Sequence, residues 1–95
     1  MQVEILRVSG TREEHAIPSK HRALDAIHKL LQCECTDTVN LRDGRVMLVD
    51  DTGLLDGTPV NAQATALYHS IYPRARESGQ PIVGDVAIAL DEDFA

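Results

Sequence analysis

Apolar residues along this chain switch between two periods, and the switches mark its elements. Residues 3–8 form a short run rich in β-formers, closed by the turn signal Ser9-Gly10-Thr11. Residues 13–17 are expected to return as a second strand, although "REEH" is a poor strand sequence. Pro18-Ser19 then interrupts the chain and places Ser19 as a helix N-cap. Over residues 20–32, Ala23, Leu24, Ile27, Leu30 and Leu31 recur at helical spacing, with Arg22, Asp25 and Lys29 largely on the other side.

Period two returns in residues 35–50. Cys35, Asp37, Val39 and Leu41 alternate with Thr36, Thr38 and Asn40, and Val46 to Val49 supply a partner strand. Between them stands Asp43-Gly44, the pair favoured in a tight type I′ hairpin turn. Asn61 is then the expected cap of a second helix whose stripe is Ala64, Leu67, Tyr68, Ile71 and Tyr72, stopped by Pro73. Residues 73–81, "PRARESGQP", read as a polar, basic loop or frayed turn. Residues 82–90 alternate Ile82, Gly84, Val86, Ile88 and Leu90 with Val83, Asp85, Ala87 and Ala89, which predicts a last, central strand. From about residue 91 the chain is an acidic tail.

This order, β-(β)-α-β-β-α-β, predicts an α+β fold. The expected form is a small two-layer domain over residues 1–95, with a mainly antiparallel sheet and both helices packed on one face. The 95 residues carry only three aromatics, Tyr68, Tyr72 and Phe94, so the core must be aliphatic. A core of this size yields roughly 5 kcal/mol or less of net stability. Self-association would hide apolar surface that one copy cannot cover, so a homo-oligomer is expected.

Charge and chemistry narrow the function. A net charge of -6 argues against a generic binder of nucleic-acid backbones, which needs clustered Lys and Arg. There is no 18-residue apolar run for a membrane span, and the first residues lack the pattern of a secretory signal. Cys33 and Cys35 are too close in sequence for a stabilising cross-chain disulfide, and a reduced cytoplasmic setting is expected.

The string "VDDTGLLDGTPVN" (residues 49–61) and the later "IVGDVAIAL" (residues 82–90) resemble the domain of unknown function 3846 family of phage- and plasmid-borne small proteins. The order matches: hairpin strand, acidic-glycine turn, Pro-x-Asn before a helix, then a Val-Gly-Asp-Val strand. The resemblance covers about half of the chain. Asp50-Asp51-Thr52-Gly53 departs from the Asp-Glu-x-Gly type common in the family. It implies a mobile-element origin and a bacterial cytoplasm, and brings no catalytic residues to carry over.

Several constellations could carry chemistry, and each has an ordinary structural reading beside it. Asp50, Asp51 and Asp56 could hold a hard cation, but counted from Asp50 the sixth and twelfth positions are Leu55 and Asn61, not the Gly and Glu of a calcium loop. Turn-forming carboxylates explain them better. His21, His28, Cys33 and Cys35 lack the paired spacing of zinc sites, so no metal and no cofactor are expected. The helix start after "DGTPVN" offers N–H groups to an anion, without the glycine-lysine pattern of a phosphate loop. Arg74 and Arg76, just past Tyr68 and Tyr72, are the basic cluster of the second half and could hold a base and its phosphate. Arg near a helix C-terminus also simply suits the dipole, and the two tyrosines are i, i+4 neighbours on the core stripe.

No nucleophile–base pair or ligand set emerges, so an enzyme is not expected. The expectation is a non-enzymatic accessory protein of a phage or other mobile element. It would interfere with host function, including immunity, by binding a host protein or by sequestering a nucleotide signal. The ligand site would then comprise Thr58, Asn61, Tyr68, Arg74 and Arg76. The alternative is an acidic decoy of nucleic acid, blocking a DNA- or RNA-binding host protein; it draws on the charge of -6, though the acids are split between turns and tail.

Overall fold

The computed structural model of this chain describes residues 1–18, 22–51 and 57–94. Five strands, β1 (Gln2–Leu6), β2 (Arg12–Ala16), β3 (Thr36–Asn40), β4 (Arg45–Asp50) and β5 (Val86–Leu90), form one sheet in the order β2-β1-β5-β4-β3. Every neighbouring pair is antiparallel. Helices α1 (Ala23–Leu31), α2 (Ala62–Ile71) and α3 (Pro73–Ser78) complete an α+β domain, followed by a 3-10 turn at Asp91–Phe94. The weak "REEH" strand forms after all. Its outer neighbour is solvent, and its pairing with β1 supplies what propensity does not.

The helices lie on opposite faces of the sheet, which corrects the expected two-layer packing. On one face Val3, Ile5, Val46, Leu48, Ala87 and Ala89 pack with Ile27 and Leu31 of α1. On the other face Leu6, Met47, Val86 and Ile88 pack with Ala64, and Leu67, Tyr68 and Ile71 of α2 close over them. The physical reason lies in β5. Its alternate residues Ala87 and Ala89 are apolar too, and both are buried, so the central strand needs cover on both sides.

Three local expectations also change. The hairpin between β3 and β4 turns through Arg42, Asp43 and Gly44, closed by the Leu41 N–H bonding to the Arg45 carbonyl at 3.0 Å. Positive φ falls at Arg42 (65°) and Gly44 (89°), not at Asp43, so this is a three-residue loop and not a two-residue type I′ turn. The segment "PRARES" is helical, because Tyr72 leaves the helical region (φ -121°, ψ 84°) and Pro73 begins a new helix at its favoured first position. The last strand starts at Val86, since Gly84 (φ 76°) bends the chain after a single bridge between Val60 and Val83. The proposed cap Ser19 and most of the aspartate loop, Asp56 included, lie outside the described residues.

Candidate functional site

The sequence-predicted residues do not converge. Asn61 caps α2, its Oδ1 accepting the Ala64 N–H at 3.1 Å. It is also fully buried, and its amide nitrogen donates to the Leu6 and Gly84 carbonyls, both at 2.9 Å. Both amide protons are used, and the Asn61 N–H bonds to the Ile82 carbonyl at 2.8 Å. Asn61 is therefore a pin joining α2, the end of β1 and the bend before β5, with no donor left for a ligand. Thr58 lies beside that bend: a Cβ at Gly84 would stand 3.2 Å from its Cγ2.

The tyrosines sit at the far end of α2. The Tyr68 and Tyr72 rings lie 5.4 Å apart, and the Tyr72 hydroxyl donates to the Asn40 carbonyl on β3. Among the described residues the cation stacked on Tyr72 is Arg42, whose guanidinium carbon stands 4.4 Å from the ring centroid. Sequence proximity pointed to Arg74 and Arg76, but these are exposed on α3. Arg42 is thirty residues away in the chain and reaches Tyr72 only because the hairpin folds back beneath α2. Tyr68 instead lines a cleft of about 230 Å³ with Asp37, Asp50, Asp51 and Gln80. Carboxylates there oppose a phosphate group.

Neither Cys33 nor His28 is set up as an activated nucleophile. Burial, then the charges of Asp50 and Asp51, push the Cys33 thiol upward, away from thiolate. His28 Nε2 lies 3.3 Å from the Thr36 hydroxyl, with no carboxylate orienting the ring among the described hydrogen bonds. Among the described residues no group of three His, Cys, Asp or Glu side chains could hold a metal ion.

A buried-edge cluster escaped the sequence reading altogether. The Arg7 guanidinium forks onto both carboxylate oxygens of Glu13 at 2.9 and 3.0 Å. Its remaining nitrogen donates to the Leu30 carbonyl in the last turn of α1 at 2.8 Å and to Asp85 at 3.0 Å. Asp85 in turn accepts the Val8 N–H at 2.8 Å. The hydrogen bonds from Arg7, followed by that from His15, hold Glu13 down to about 2, and those from Glu13 and Asp85 raise Arg7 despite its burial. This clamp ties β1, β2, α1 and β5 together and is structural.

The sheet face under α2 is covered only in part. Helix α2 starts beside Leu6 and ends over β3, so it crosses the sheet diagonally and leaves the lower part of β2, β1 and β5 bare. There a groove of about 430 Å³ has Ile88 in its floor and Gln2, Glu4, Glu14, Arg45 and Leu90 around it. It shares Glu4, Arg45 and Ile88 with a second hollow of about 400 Å³ that runs to Arg12 and Leu67. Leu90 is 44% exposed. The sequence carried a signal for this face, since Gln2 and Glu4 alternate with Val3 and Ile5 in a strand that is otherwise internal.

A family model described as Domain of unknown function (DUF3846) matches residues 1–95. No curated protein and no solved structure matches the chain.

Proposed function

For a chain that belongs to the DUF3846 family, a domain of unknown function, we propose the role of a non-catalytic binding protein that grips a protein partner through its bare sheet face. The observation that carries this reading is the groove beside α2, with the exposed Leu90 as an apolar anchor and Glu4, Glu14 and Arg45 around it. Acids outnumber bases on a chain of net charge -6, so the complementary partner surface is apolar at its centre and basic at its rim. The mobile-element context implied by the motif resemblance makes that partner a host protein in the bacterial cytoplasm, with interference as the outcome.

Sequestration of a nucleotide has less support. It would use Thr58, Asn61, Tyr68, Arg74 and Arg76, of which Asn61 is consumed internally and Tyr68 faces aspartates. The acidic-decoy alternative would need carboxylates spaced along one regular surface. Glu4, Glu14 and Asp93 do gather around the groove, but Arg12 and Arg45 interrupt them.

Native mass spectrometry of the protein purified from its bacterial host tests the reading, with Leu90→Arg and the Arg74→Ala/Arg76→Ala pair as contrasts. The expected result is a co-purifying protein that Leu90→Arg loses and the arginine pair keeps. Retention of a nucleotide by the wild type, lost with the arginine pair, would refute it.

A further inference from the structure

We infer that a second copy of this chain adds to the β2 edge of the sheet, antiparallel about a two-fold axis at Glu13, with Arg12 of each copy opposite Glu14 of the other. The two sheet edges differ. On β3 the Leu41–Arg45 bond sets the alternation, so the backbone groups of Thr36, Thr38 and Asn40 point outward. That edge is partly plugged: the Thr38 N–H bonds to Asp37 Oδ1 at 2.9 Å, and the Asn40 carbonyl accepts the Tyr72 hydroxyl. On β2, Met1 and Ile17 exchange both bonds and the Arg7 N–H bonds to Thr11 O, so Arg12, Glu14 and Ala16 point outward. Among the described residues no hydrogen bond meets their backbone from that side. An unpaired edge of this kind is a template for another strand.

Charge selects the register. Glu4 and Glu14 are direct cross-strand neighbours on one face, and like charges so placed repel. Arg12 contacts Glu4 at 2.6 Å, and Glu14 has no ion pair among the described residues. Pairing centred on Glu14 would stack two more carboxylates. Pairing centred on Glu13 places Arg12 opposite Glu14 twice, both at outward, hydrogen-bonded positions. The two Glu13 side chains then meet at the axis, each already neutralised by its own Arg7 and hydrogen-bonded to His15. The two sheets become continuous and their bare faces lie side by side.

The inference concerns the chain alone and stands whether or not the host-protein reading holds, so purified protein without any partner tests it. Sedimentation is run from about 10 μM to about 1 mM, where small interfaces form and dissociate. The wild type should move from 10.4 kDa toward twice that mass. Glu14→Arg and Arg12→Glu should each weaken association at least about tenfold, and the double charge swap should restore it. Hydrogen exchange gives a second readout without substitution: the Arg12, Glu14 and Ala16 amides should slow with concentration, and the Thr38 amide should not. A wild type that stays monomeric throughout, a single swap that associates like the wild type, a folded double swap that does not recover, or exchange at these amides independent of concentration would each overturn it.

Discussion

Replacing Asn61 separates a helix cap from a buried pin. A cap alone contributes about 1 kcal/mol, and Asp or Ser serves nearly as well as Asn. In this fold the same side chain also donates to the Leu6 and Gly84 carbonyls at 2.9 Å from a fully buried position. Asn61→Ala therefore removes the cap and takes a donor from two buried acceptors, each loss costing about 1–2 kcal/mol. The sum is about 3–5 kcal/mol, a large fraction of what a small domain possesses. Asn61→Asp is the discriminating variant. It keeps the oxygen that accepts from Ala64 but replaces both donated protons with a buried carboxylate oxygen facing two carbonyls. Its destabilisation should at least equal that of Asn61→Ala. Urea unfolding at pH 7 measures both, with a slope of about 1–3 kcal/mol per molar converting the loss into a midpoint shift of about 1–5 M. An Asn61→Asp midpoint near wild type would show that Asn61 only caps α2 and that the pin is wrong.

Three further outcomes follow from other contacts. Glu13 is held near 2 in the folded state against an ordinary value of about 4.3, so its contribution is complete above the ordinary value and disappears as pH falls toward 2; Glu13→Gln should be less stable than wild type at pH 7 and converge with it near pH 2, whereas parallel urea-midpoint curves would contradict the Arg7 clamp. Gly44→Val should cost roughly 1 kcal/mol or more through strain at φ 89°, and Gly84→Ala a comparable amount at φ 76° with Thr58 at 3.2 Å; unchanged melting temperatures would place these bends wrongly. The Arg74→Ala/Arg76→Ala pair, exposed on α3, should leave the urea midpoint almost unchanged, and calorimetric titration with mono-, di- and cyclic nucleotides should find no sub-millimolar binding to either form; tight binding by the wild type alone would return those arginines to the site.

The periodic parts of this chain were legible because their information is local. The spacing of Ile27 and Leu31, the cap at Asn61 and the alternation of Asp37 and Val39 with Thr36, Thr38 and Asn40 each lie within one element, and each of those elements formed within a few residues of its expected bounds. The central place of β5 was also written in its own residues, apolar on both sides. That same feature held the clue to helices on both faces, but Ala87 and Ala89 are small and weigh little in a pattern dominated by Val86 and Ile88.

Contacts between distant segments were decided by the tertiary fold. Arg7 meets Glu13, Leu30 and Asp85 at separations of 6, 23 and 78 residues, and no period links such positions. Arg42 displaced Arg74 and Arg76 as the partner of Tyr72 because a hairpin loop and a helix end were brought together by strand pairing. Asn61 could be read from sequence as a cap, since a cap needs only the next turn of helix. Its second task depends on two carbonyls 55 and 23 residues away, supplied by the end of β1 and the bend before β5, which strand pairing brings together. Element type follows from short-range sterics and hydrophobic period; the sharing of polar side chains among elements follows from which strands become neighbours.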